Sequence, residues 1–73
     1  MYKIGDRVQY HAIGGAKNTT FGIIKDIWDE PRSFKGHEVH ASHEDPRYLI
    51  ENEHTKKETP YKFRSIVEKH DYE

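Results

Sequence analysis

Seventy-three residues without a cysteine make one small domain that can use neither a disulfide nor a zinc–thiolate site for stability. A chain of this size buries only about 60% of the surface it exposes when unfolded, so its core has to be tight. Charged residues (34%) match hydrophobic ones (33%), yet the formal net charge is −1, which argues against self-repelling disorder and against nucleic-acid binding driven by bulk charge.

Residues 4–10 alternate from Asp6 onward and set Val8 and Tyr10 on one face, which predicts a first strand. Residues 11–20, with Gly14-Gly15 and Asn18, read as a turn. Residues 21–28 are rich in β-branched and aromatic side chains and predict a second strand. Gly22 inside it suits a bulge or a strongly bent strand, where a side chain would collide with the facing strand. Ile24 and Ile27 lie three apart, which breaks alternation and again implies a bulge.

Asp29-Glu30-Pro31-Arg32-Ser33 ends that strand. Residues 34–42 admit two readings: an edge-like strand with Val39 and Ala41 on its inner face, or an ordered loop. The whole of 29–46 is therefore a long loop or edge strand. Residues 47–52 and 58–62 form a hairpin around the polar turn 53–57, with Tyr48 and Ile50 pointing inward. Residues 63–67 suit a short 3₁₀ turn leading into a last strand. Residues 1–68 then make the domain and 69–73 a polar tail.

No window of helical length carries apolar residues at i, i+3, i+4 and i+7, so the chain is all-β. A small five-stranded SH3-like barrel is the expected architecture, because closing the sheet removes exposed edges. No apolar leader precedes the first strand and no segment reaches the length of a membrane span. A cytoplasmic setting is expected, or a nuclear one in a eukaryote.

Lys3-Ile4-Gly5-Asp6-Arg7-Val8, followed by Gly22-x-Ile24-x-x-Ile27, resembles the opening of Tudor and KOW-type SH3-like barrels. A wider set runs Lys35-Gly36-x-x-Val39-x-Ala41-Ser42-x-x-Asp45-Pro46-x-Tyr48-x-Ile50, then Thr55-x-Lys57, Lys62 and Ile66. From Tyr2 to about Val67 the chain is similar to the hypervirulence-associated protein Tudor domain family of bacteria and fungi. The resemblance implies a Tudor-like barrel and, through its KOW and Tudor relatives, adds weight to a binding role.

Three groups of side chains are candidates for chemistry. Tyr10, Phe21, Trp28, Phe34, Tyr48, Tyr61 and Phe63 could supply a cage for a methylated cation, but a core this poor in aliphatics needs aromatics for bulk. Trp28, at a strand end beside Asp29-Glu30, is the ring expected to be partly exposed. His37, His40 and His43 have a ligand-like density, yet residues three apart on a strand point to opposite faces, so no metal site is expected. Arg47, Lys56, Lys57, Lys62 and Arg64, interleaved with Tyr61 and Phe63, pair cations with stackable rings as single-strand nucleic-acid surfaces do, while Glu51, Glu53 and Glu58 cancel much of their field.

Gly14-Gly15 lacks the Lys-Ser/Thr partner of a phosphate loop, and Ser33, Ser42 and Ser65 lie in polar turns without a nucleophile setting. The chain is thus expected to be non-enzymatic and free of cofactors. The leading expectation is weak binding of a nucleic-acid strand or an extended or modified protein segment through Trp28, Arg47, Tyr61, Lys62 and Arg64. The alternative is a homo-oligomerising module in which Trp28, Phe34 and the 29–46 segment pack against a second copy.

Overall fold

The computed structural model describes residues 2–13 and 18–69. Alternation becomes strands where it is expected: β1 (Arg7–Tyr10) and β2 (Thr20–Trp28) pair antiparallel, with Val8 opposite Gly22. β5 (Arg47–Asn52) pairs with β2 on one side and with β6 (Glu58–Lys62) on the other. A 3₁₀ turn (Phe63–Ser65) leads into β7 (Ile66–Lys69), which pairs with β1. The five-stranded order is therefore β6-β5-β2-β1-β7.

Two expectations change here. Among the described residues, β6 and β7 share no ladder, so the sheet is not closed into a ring of hydrogen bonds. The three-residue 3₁₀ turn carries the chain across to β1 instead of back along β6. The last strand also runs to Lys69, which faces Val8, so the first residue assigned to the tail belongs to the sheet. The rest of that tail, like the Gly14-Gly15 turn, lies outside the described residues.

The 29–46 segment contains a hairpin of its own. β3 (Arg32–Phe34) and β4 (His37–Val39) pair antiparallel around Lys35 and Gly36, at φ 51° and 81°. Two positive φ values in a two-residue loop match the right-handed twist of the flanking strands, with Gly in its natural place and Lys at a steric cost. The hairpin forms a separate two-stranded sheet.

Register decides where the core sits. Ile24 faces Ile50, but the next ladder position is Asp26 opposite Leu49, so Lys25 is an inserted residue. The bulge read from the Ile24–Ile27 spacing is present. Because side chains alternate with period 2, one extra residue moves everything after it to the other face. Ile27 therefore joins Tyr48 on the first face, and Trp28 joins Leu49 on the second.

The first face carries the main core of Val8, Tyr10, Ile24, Tyr48, Ile50, Tyr61 and Ile66, against which Tyr2, Ala12 and Ile27 pack. Each side chain of this size removed fully from water contributes about 1.5–3 kcal/mol. A Cβ at Gly22 would lie 2.5 Å from the Glu51 carbonyl oxygen and 2.6 Å from Ile50 Cγ2. The strand crossing thus requires the glycine. The second face holds a smaller cluster of Trp28, Ala41 and Leu49, covered by Phe34 and Val39 from the β3–β4 hairpin. Val39 and Ala41 do point inward, into this cluster and not the main one.

Candidate functional site

Antiparallel pairing sets Trp28 opposite Arg47 and Arg47 opposite Lys62, so three of the five residues singled out in the sequence form one row across β2, β5 and β6. Their surroundings differ from expectation. Trp28 is 5% exposed. Its Nε1 donates to Asp26 Oδ2 at 3.0 Å, and Phe34 leans on it with ring centroids 5.3 Å apart. The Arg32 guanidinium lies 4.5 Å from the ring centroid and covers a face that the sequence left open. The hairpin folding over β2 is what buries the indole.

Arg47 and Lys62 converge on one carboxylate. Arg47 donates to the Asp45 carbonyl oxygen at 2.8 Å and pairs with Asp45 Oδ1 at 3.1 Å, while Lys62 Nζ lies 3.8 Å from Oδ2. Asp45 is itself fixed by Ser42, whose Oγ and carbonyl oxygen accept from its N–H at 3.1 and 3.2 Å. The Ala41-Ser42-x-x-Asp45-Pro46 segment is therefore a closed loop that plugs the second cluster with Ala41 and steers Arg47. Much of the row's positive charge is satisfied internally.

Tyr61 takes the opposite side of β6 and belongs to the main core. Its ring centroid is 4.9 Å from that of Tyr10, and its hydroxyl accepts from the Ile13 N–H at 3.4 Å. Arg64 sits in the 3₁₀ turn, exposed, beside Phe63, which is 52% exposed and rests on Tyr2. Lys56 and Lys57 lie at the far end of β6 in the 53–57 turn. The expected basic and aromatic face is thus divided among the row, the core and the two ends of β6.

That turn is held by Asn52, whose Oδ1 accepts from His54 and Thr55 N–H groups at 2.8 and 3.0 Å, and Lys56 takes φ 65° within it. Arg7 braces it from β1 with a two-point ion pair to Glu53 (3.0 and 2.9 Å), and this hydrogen bonding holds the Glu53 carboxyl below the ordinary carboxylate range. Burial raises the Tyr10 hydroxyl above its ordinary value, opposed in part by the hydrogen bond from Asn52. His37, His40 and His43 are all exposed and separate. No three potential ligands come together among the described residues.

The sequence did not reveal a groove of about 340 Å³ between the hairpin and β6. Phe34, Val39 and Pro60 line it, Ile13 stands over it at 79% exposure, and Lys35 and Lys57 belong to its wall. Pro60 sits in the middle of an edge strand, where a ring without an N–H is tolerated because that side of the backbone faces away from the ladder. The available signals were an isolated aliphatic in a polar loop and a Lys-Gly pair flanked by short strands. Neither specifies which elements meet.

The pattern of the family described as "Hypervirulence associated proteins TUDOR domain" matches residues 5–63. The Schizosaccharomyces pombe protein named "Putative primary metabolism protein prl65" is 36% identical over 67 residues, covering 89% of this chain and 88% of that protein. No solved structure gives a significant match.

Proposed function

The chain belongs to the hypervirulence-associated protein Tudor domain family, and from that premise we propose that it is a non-enzymatic binding module whose ligand is an extended protein segment. We read its five-stranded sheet as the wall of a Tudor-like, SH3-like barrel, with the 3₁₀ turn bridging β6 to β7. The observation that carries the binding reading is the groove along β6. It combines an apolar floor, an unpartnered aliphatic at Ile13 and a strand edge, which together suit side chains projected from an extended backbone.

A nucleic-acid strand has less support. Trp28 and Tyr61, the rings expected to stack on bases, are buried, and Asp45 engages both Arg47 and Lys62. Phe63 and Arg64 remain as one exposed ring and one exposed cation. The deciding experiment is an NMR titration of the labelled protein with an extended Val/Leu peptide and, separately, with single-stranded RNA. Peptide-induced shifts at Ile13, Phe34, Val39 and Thr59 are expected. Shifts by RNA at Arg47, Lys62 and Arg64 with a silent groove would replace this reading with nucleic-acid binding. Sedimentation as a dimer with the same groove residues broadened would replace it with self-association.

A further inference from the structure

We infer that the partner segment is acidic: an aliphatic stretch flanked by carboxylates, with the aliphatics in the groove and the carboxylates at its two lysines. This rests on the reading of the groove as a peptide site and adds the chemistry of its occupant.

The charge of the wall points this way. Lys35 and Lys57 are exposed, and neither is in an ion pair among the described residues; Glu58 is the one carboxylate of the lining and is half-buried. Among the described residues Arg7 pairs with Glu53, Arg47 and Lys62 with Asp45, Arg32 with Asp26 and Lys69 with Asp6, whereas Lys3, Lys25, Lys56 and Arg64 stand, like Lys35 and Lys57, outside the ion pairs. What sets Lys35 and Lys57 apart is that both line the apolar groove, where Lys35 Nζ also lies 5.3 Å from the Phe34 ring centroid.

Backbone geometry adds a second argument. Among the described residues, those other than glycine with positive φ are Lys35 and Lys56, one in each of the two turns that frame the groove. A lysine in the left-handed region costs energy that glycine or asparagine avoids, so the turn at Lys35 holds a cation where the fold alone would favour another residue.

Pro60 defines how the segment is held. Continuous strand addition along β6 requires a donor at each outward position, and Pro60 has none. Recognition is therefore by side chains entering the groove, with lysines fixing the flanks. Opposite charge then sets specificity and encounter rate more than total affinity.

The test uses three heptapeptides with a Val-Leu-Val centre flanked on both sides by two Glu, two Ser or two Lys, titrated into the intact chain by NMR at low and high salt. The expected order of affinity is Glu, then Ser, then Lys, with the Glu peptide losing its advantage at high salt. Lys35→Asn combined with Lys57→Gln should lower affinity for the Glu peptide about five- to tenfold relative to the Ser peptide. Asparagine tolerates φ 51°, so that variant keeps its turn. Glu58→Gln should strengthen binding of the Glu peptide. Equal affinity for all three peptides would overturn the acidic partner and leave the peptide site standing. Silence of the groove with every peptide would overturn both.

Discussion

The two sides of the β2–β5 ladder are built on different principles. On the first, Val8, Tyr10, Ile24, Tyr48, Ile50, Tyr61 and Ile66 come from five strands of one hydrogen-bonded sheet. On the second, Trp28 and Leu49 are covered by Phe34 and Val39 of a hairpin that belongs to a separate sheet. The first side gains from backbone ladders and side-chain burial together. The second relies on side-chain contacts and the Ser42–Asp45 loop, and it is the second side that borders the groove. The first side is therefore expected to hold more of the stability, and the second to open more readily.

The contrast breaks most sharply at Ile50, which is fully buried. Ile50→Ala should cost about 2–5 kcal/mol, comparable with the whole stability of a domain this small, and urea denaturation followed by circular dichroism should show the cooperative transition weakened or lost. Gly22→Ala pushes a methyl into the Glu51 carbonyl and Ile50. It should cost about 1–3 kcal/mol in the same assay. Phe34→Ala acts on the second side, where the ring is half-buried, and should cost about 1–2 kcal/mol. Its amide exchange should quicken in β3 and β4 while β1, β2 and β5 stay protected. If protection falls everywhere, the two sides are one cooperative unit and the contrast is wrong.

The smallest expected effect concerns the Arg7–Glu53 brace on the main sheet. The folded-state pKa of Glu53 is depressed from 4.5. Its contribution is therefore present above about pH 4.5 and lost as pH falls through the folded value. Both partners keep some solvent contact, at 20% and 26% side-chain exposure, which limits the effect to below about 1 kcal/mol. The native chain should lose more stability between pH 7 and pH 3 than Arg7→Ala does, measured as the shift in urea midpoint.

Local pattern carried the reading wherever a side chain's fate depends on its own strand. Val8 and Tyr10, Tyr48 and Ile50, the glycine at 22 and the bulge before Ile27 are all legible from alternation and its interruption. The candidate site was less legible, because its residues are set by elements distant in sequence. Trp28 is buried by a hairpin whose Lys35-Gly36 turn lacks an Asn-Gly or Asp-Gly signature. Tyr61 turns inward because the 53–57 turn fixes the register of β6, and nothing near Tyr61 announces it. The family resemblance marked Asp45-Pro46 and the basic pattern marked Arg47 separately, and the distances join them in an internal clamp. Lys35 and Lys57, twenty-two positions apart, could not be joined without the fold.

Lys25 illustrates a kind of information that residue identity does not carry. It is exposed, and its side chain touches neither cluster, yet its presence assigns Ile27 to one core and Trp28 to the other. The position is specified by counting, not by chemistry. Most substitutions there leave the architecture alone, whereas loss of a single codon would exchange the inside and outside of three consecutive residues. For this domain the spacing between Ile24 and Trp28 is as much a part of the design as the residues at its ends.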